Sequence, residues 1–245
     1  MLSRLYSQHL HISNSLGDHM LNSFVDTTRA LIAQMGRTLF DRHLTDAAGG
    51  NISVRVDDVL CITATLSGQH KHWQLQSEDV LVTDLEGRIL DGSGQLSRET
   101  RAHLELHRAY GQHGQAIIHA HPRNIMVFAA LAKPMQPVIE ATRKFGIVPI
   151  ADYAPSETPD LALHVVEALR GHEKLITKCG AACIAPWHGL FVMAQDLYAA
   201  FDAVELLDTN AYCTIMGRQL TGADAQEAAR EQMETTINRF YQSQK

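Results

Sequence analysis

Apolar residues first recur at helical spacing from Phe24, through Leu31 and Met35, to Leu39. This predicts an amphipathic helix over residues 22–42. Residues 1–19 lack such a pattern and read as an N-terminal extension to a single domain over 20–245; Met1 and Met20 both stand as start residues. Alternation then marks 51–56 as a strand, and an apolar run marks 59–65 as a second. Residues 65–68 read as a tight polar turn. Gln69-His70-Lys71-His72-Trp73 reads as a solvated loop, or as a place that sets a cation near a substrate. Runs at 80–85 and 88–90 predict a hairpin around Glu86 and Gly87. A helix over 97–110, with Ser97 at its N-cap, leads to the apolar run Ala-Ile-Ile-His-Ala-His-Pro at 116–122.

The second half continues in the same manner. Residues 123–132 read as a helix, 137–139 and 147–151 as short strands, and 158–169 as a surface helix with Pro159 in its first turn. Apolar strands at 182–185 and 190–194 are separated by Pro186-Trp187-His188-Gly189. A long helix over 196–218 carries Leu197, Phe201, Val204, Leu207, Ala211 and Ile215 on one face. A last helix covers 221–240, with Tyr241 after it. Several strands are joined by hairpins rather than crossover helices. The expected fold class is therefore α/β, with a central, mainly antiparallel or mixed sheet covered by helices.

Composition narrows the classes. A chain of 245 residues can bury a substantial core, and 45% hydrophobic with 20% charged residues is ordinary for a globular protein. No apolar run reaches the length of a membrane span. The net charge of −6 argues against a general nucleic-acid binder. It leaves room for a phosphorylated small molecule, which needs only a local cluster of donors. Cys61, Cys179, Cys183 and Cys213 are too scattered for a disulfide framework, and Cys179-x3-Cys183 is not a zinc-ribbon spacing. A reduced, cytoplasmic protein with neither membrane nor nucleic-acid partner is expected. The Gly-rich nucleotide-binding signatures are absent.

His119 and His121 stand one residue apart at the end of a predicted strand. Side chains at i and i+2 share a face there, so two imidazoles can converge on one ion. His188, beside Gly189 and between two buried strands, is a third candidate ligand. Gly50 lets backbone approach a ligand, and Asn51 offers a donor and an acceptor. Ser97 at a helix N-terminus suits an anion, whereas Glu99 alone reads as a surface carboxylate favoured by the helix dipole.

Gly50-Asn51-Ile52-Ser53, Ser97-Arg98-Glu99, His119-Ala120-His121-Pro122 and His188-Gly189, in this order, resemble the class II aldolase/adducin family over roughly residues 22–219. That family includes fuculose-phosphate and rhamnulose-phosphate aldolases and ribulose-phosphate 4-epimerases. The resemblance implies a three-layer, class II aldolase-like fold. It implies zinc, or another divalent metal, on His119, His121 and His188 with Glu99 as a further ligand. Glu99 would leave the metal when substrate arrives and then move the proton, while the metal stabilises an ene-diolate. It also implies a phosphate pocket of Gly50, Asn51, Ser67, Gly68, Ser97 and Arg98, and a homotetramer with the site near a subunit boundary.

Two departures from the family pattern matter. The Ile-Thr-Pro-Ser/Thr-Gly stretch becomes Ile62-Thr-Ala-Thr-Leu-Ser-Gly68, and the second serine of a Ser-Ser pair becomes Arg98, which either pairs with phosphate or carboxylate or points to solvent. The tyrosine expected nineteen residues after the second ligand histidine is Glu140, which becomes the candidate general acid, with Tyr241 as a second candidate. The implied function is a zinc-dependent aldolase that cleaves a phosphorylated ketose to dihydroxyacetone phosphate and an aldehyde. The alternatives are a sugar-phosphate 4-epimerase, or a decarboxylase of a 3-keto acid phosphate with Arg98 or Arg143 as carboxylate partner. A non-catalytic adducin-like module fits less well, because the three histidines and the glutamate are all present.

Overall fold

The computed structural model describes residues 3–156 and 158–244, with side chains from residue 21 onward. Residues 1–20, which hold all of the expected extension, contribute no described side chain. The first helix, α1 (Ser3–Asp41), starts earlier than the apolar periodicity predicts.

The alternating stretch forms β1 (Asn51–Val56), followed by β2 (Val59–Thr63), β3 (Val80–Asp84), β4 (Ile89–Asp91), β5 (Ala116–Ala120), β6 (Ala181–Ala185) and β7 (Gly189–Ala194). They make one seven-stranded sheet in the order β4-β3-β2-β1-β5-β7-β6. Each neighbouring pair is antiparallel, as hairpin-rich patterning favours.

Alternation sends the two sides of the central strands into separate cores. Ile52, Ile118 and Val192 face one way, where Ile32 and Leu39 of α1 pack with Val204 and Leu207 of α7 (Leu197–Thr221). Ile117, Phe191 and Met193 face the other way, against Leu106 of α3 (Thr100–Tyr110) and Leu161 and Val165 of α5 (Pro159–Ala168). The result is three layers, helix on sheet on helix. Asp196 caps α7 by accepting from Ala199 N–H, and Thr158 caps α5 ahead of Pro159.

Three local expectations need correction, and one short helix was not expected. The stretch at 69–73 is solvent-exposed from Gln69 to His72, but it is not a loop throughout: residues 67–71 form a helical turn, α2 (Ser67–Lys71), and Trp73 is buried with its indole N–H donating to Asp46 O at 2.9 Å. Trp73 instead fills the space beneath the glycine-rich turn. α3 begins at Thr100, not at Ser97, because the preceding residues make a turn closed by Thr100 N–H to Ser97 O; Ser97 is therefore not its N-cap. Residues 137–139 form no strand, and 147–151 contribute only isolated bridges at Val148 and Ile150, with a 3-10 turn, Glu140–Phe145, between the two stretches. The short α6 (Glu173–Lys178) has no counterpart in the apolar pattern, being too brief to show a period. The chain is completed by α4 (Ile125–Ala130) and α8 (Ala223–Gln242). No helix among the described residues is long and apolar enough to cross a membrane.

Candidate metal centre and cavity

The sheet register brings the histidines together. β5 lies between β1 and β7, with Asn51 opposite His119 on one side and Phe191 opposite it on the other. His121 follows two residues later, just beyond the strand end. The β6–β7 hairpin, closed by Ala185 opposite Gly189, puts His188 in the turn beside them. Ring centroids are 5.1 Å apart for His119 and His121, 4.7 Å for His119 and His188, and 6.0 Å for His121 and His188. One ring nitrogen of each lies within 4.8 Å of the others. His119 also stacks on Phe191 at 4.2 Å, which fixes its ring plane.

Gly189 makes this convergence sterically feasible. A Cβ there would lie 2.7 Å from His121 Cδ2, 2.8 Å from Ala120 O and 3.0 Å from His119 Cε1. What approaches this glycine are the other two imidazoles.

The ring nitrogens can be assigned from their partners. His119 Nδ1–H donates to Leu190 O at 3.0 Å, which leaves Nε2 as a lone pair. His121 Nδ1–H points at the Asp46 carboxylate, 3.3 Å from Oδ1, and also leaves Nε2 free to bind. Neither Nε2, nor Nδ1 of His188, has a hydrogen-bond partner, and all three atoms are buried. Burial, reinforced by His188 and His121, holds the His119 imidazole well below its ordinary pKa, and burial likewise lowers that of His188. Buried ring nitrogens without hydrogen-bond partners fit a bound divalent cation, and a set of three histidines leaves coordination positions open. Asp46 was not singled out from the sequence. Its carboxyl is held low chiefly by the hydrogen bond from His121, and it orients that ring as a carboxylate behind a metal-binding histidine does.

A cavity of about 210 Å³ opens over the histidines. Gly50, Ser67, Gly68, Ser97, Arg98 and Glu99 all line it with the three imidazoles, and Ser156 joins them without having been anticipated. Glu99 Oε2 accepts from Asn51 Nδ2 at 3.0 Å and from Ser97 Oγ at 2.9 Å, while Oε1 lies 3.8 Å from His188 Nε2. Glu99 therefore faces the histidines from outside the cluster of three. Asn51 is only 1% exposed and stands behind the wall, tied to Ser97 Oγ at 2.9 Å. Ser67 spends its hydroxyl proton on Ala64 O at 2.7 Å.

Glu140 is placed elsewhere. It is exposed and shares a separate surface hollow with Arg143, Lys144, Lys178, Glu234 and Tyr241. Neither candidate acid, Glu140 or Tyr241, lines the histidine cavity of its own chain. Arg143 is engaged with Glu234 at 2.8 Å rather than directed at the cavity.

Known proteins resemble this chain in sequence and fold. The model of the Class II Aldolase and Adducin N-terminal domain matches residues 30–215. L-fuculose phosphate aldolase of Methanococcus maripaludis is 28% identical over 173 residues, covering 70% of this chain and 87% of that one. A 3-oxo-tetronate 4-phosphate decarboxylase of Haemophilus influenzae is 27% identical, covering 78% and 90%. A methylthioribulose-1-phosphate dehydratase of Methylococcus capsulatus is 30% identical, covering 75% and 90%. Among solved structures, an L-fuculose 1-phosphate aldolase superposes with a TM-score of 0.70 at 24% identity, over 84% of this chain and 95% of that one.

Proposed function

Because this chain belongs to the class II aldolase and adducin family, we propose that it is a metal-dependent lyase that cleaves a phosphorylated ketose into dihydroxyacetone phosphate and an aldehyde. The observation that carries this reading is the set of three unpartnered, buried imidazole nitrogens beside a carboxylate in one polar cavity. His119, His121 and His188 would hold the ion, and three nitrogen donors with open positions suit zinc. When bound, the metal supplies Lewis-acid polarisation of the substrate carbonyl.

The chain's own residues do the rest. Gly50, Ser67, Gly68, Ser97 and Arg98 form the wall that takes the phosphate, and Asn51 braces it from behind. Arg98 replaces a neutral hydroxyl with a cation, which suits a dianion. Glu99, held by Asn51 and Ser97, is the proton carrier. In the cleavage direction it delivers a proton to the carbon released when the C–C bond breaks, and in the synthetic direction it removes that proton as base. It is also the further metal ligand in this reading, to be released by substrate.

A second group must take the proton from the hydroxyl that becomes the aldehyde. Glu140 serves in that role only if another copy of the chain brings it to the cavity, so the reading includes a homotetramer with the site at a subunit boundary. In support, Trp187 and Tyr153, stacked edge-to-face at 4.8 Å next to the His188 turn, are 62% and 55% exposed. An aromatic pair of this kind suits cover by a second copy. The free cysteines fit a reduced, cytoplasmic setting.

Decarboxylation or dehydration of a related sugar phosphate is the second reading, favoured by the names of two relatives. A panel of ketose 1-phosphates and 3-keto acid phosphates separates the readings. Release of dihydroxyacetone phosphate with an aldehyde supports the aldolase. CO2, loss of water, or an epimer without release would replace it with the matching alternative. Glu99→Gln should keep the fold and lower kcat by about 100-fold or more; full activity would remove Glu99 from its assigned role.

A further inference from the structure

Behind Glu99 runs a row of polar side chains that the proposed reaction does not use. β1 turns Asn51, Ser53 and Arg55 toward α3. The turn leading into α3, with the helix itself, turns Glu99, His103, His107 and Gly111 back toward β1. Two residues along a strand advance about 6.6 Å and four along a helix about 6.0 Å, so the two rows stay in step. Contacts follow that match. Asn51 Oδ1 is hydrogen-bonded to His103 Nε2, His103 Nδ1 to Ser53 Oγ at 2.7 Å, and Ser53 Oγ to His107 Nε2 at 3.0 Å. At the far end, a Cβ on Gly111 would lie 2.9 Å from the Arg55 guanidinium. His103 and Ser53 are fully buried, and Asn51 and His107 nearly so.

The direction of every hydrogen bond in the row can be derived from the carboxylate. Glu99 only accepts, so Asn51 presents its NH2 to Glu99 and Ser97 and its Oδ1 to His103. An amide oxygen only accepts, so His103 carries its proton on Nε2. Burial, with a smaller contribution from His107, lowers the His103 pKa to about 3, and the ring is neutral. Its Nδ1 is then a lone pair that accepts from the Ser53 hydroxyl. With its one proton committed, Ser53 Oγ accepts from His107 Nε2–H. His107, also lowered to about 3 by burial and then by Arg55, is neutral, with its Nδ1 lone pair unpartnered. Running the row backwards would place protons on both nitrogens of His103, a buried cation.

We propose that His107, Ser53 and His103 are positioning residues: they form a one-way hydrogen-bond chain that locks the Asn51 amide and thereby aims the Glu99 carboxylate at the reacting carbon. Without His103, the Asn51 amide loses the partner of its oxygen and is held only through its nitrogen, by Glu99 and Ser97. The amide can then rotate about those contacts, and the carboxylate drifts from its held position. The same row braces the wall serine, Ser97, through Asn51. This inference rests on the reading of Glu99 as proton carrier.

The first test does not use activity. The wild-type protein, loaded with Zn2+ and labelled with 15N at histidine, is observed by imidazole 15N–1H correlation, with His103→Gln and His107→Gln providing the assignments. Both rings should appear as the Nε2–H tautomer and stay neutral down to about pH 5. An Nδ1–H form of His103, or titration of either ring near its ordinary value, overturns the proposal. The second test is kinetic. His103→Leu should lower kcat by about 10- to 100-fold with KM and bound zinc nearly unchanged. His103→Gln, which restores a donor to Asn51, should recover part of the loss. If His103→Leu keeps full kcat while Glu99→Gln is inactive, the positioning role is wrong. If Glu99→Gln itself is fully active, it is the underlying reading of Glu99 that fails, whatever the tautomers show.

Discussion

His103 and His107 limit the fold as well as serving the site. In the unfolded chain they titrate near 6.5, whereas burial lowers both to about 3 in the folded one. Between those values the unfolded state binds more protons, so stability rises with pH across the window. The contribution is complete above about pH 6.5 and is lost as pH falls toward the folded values, at about 1.4 kcal/mol per pH unit for each ring. His119, also lowered, acts in the same direction when no metal is bound. Urea midpoints of metal-free protein should therefore fall steeply from pH 6.5 to 4.5, and His103→Gln should flatten the slope; a wild-type midpoint that does not move would contradict the burial of neutral rings. At this scale the three converging histidines and Glu99 beside them were legible because their spacings match a known pattern. His103 and His107 were not. Their signal is the joint period of Asn51-x-Ser53-x-Arg55 and Glu99-x3-His103-x3-His107, which has meaning only once β1 and α3 are known to lie face to face.

The β6–β7 turn is the element on which the centre depends most narrowly. It must carry His188 to within 4.7 Å of the His119 ring while leaving space for His121, and Trp187 adopts a left-handed φ of 55° to do so. In Gly189→Ala the new Cβ would meet two imidazole rings and a backbone oxygen at 3.0 Å or less. The expected outcome is a loss of about 1–3 kcal/mol in thermal or urea unfolding, together with weaker metal retention against a chelator. Unchanged stability and retention would show that the histidines do not crowd this glycine. Hairpins and long helices could be read from apolar period, since alternation at 51–56 and the stripe from Leu197 to Ile215 each repeat several times. Short pieces could not. α2 and α6 are shorter than two turns, and Trp73 is held in the core by contacts distant in sequence, against the polar appearance of its neighbours. The start of α3 shifted for a similar reason: Ser97 is drawn into the Asn51 and Glu99 hydrogen bonds instead of capping a helix.

At the scale of the whole molecule, the antiparallel order sets the chemistry. Because β5 lies between β1 and β7, residues 51, 119 and 191 fall in one line, and the open strand ends supply His119, His121 and His188 to one cavity, with Asn51 behind its wall. The turn into α3 closes that cavity from the other layer with Glu99. Glu140 remains outside the cavity of its own chain, so the role proposed for it depends on assembly, whereas the role proposed for the histidines does not. The central claim is that His119, His121 and His188 form a metal centre. The most direct test is metal content by mass spectrometry after equilibration with zinc and gel filtration, comparing wild type with His121→Ala. The account predicts about one ion per wild-type chain and close to none in a variant that keeps the wild-type circular dichroism. A wild-type protein that retains no divalent ion, or a folded His121→Ala that retains as much, would contradict it.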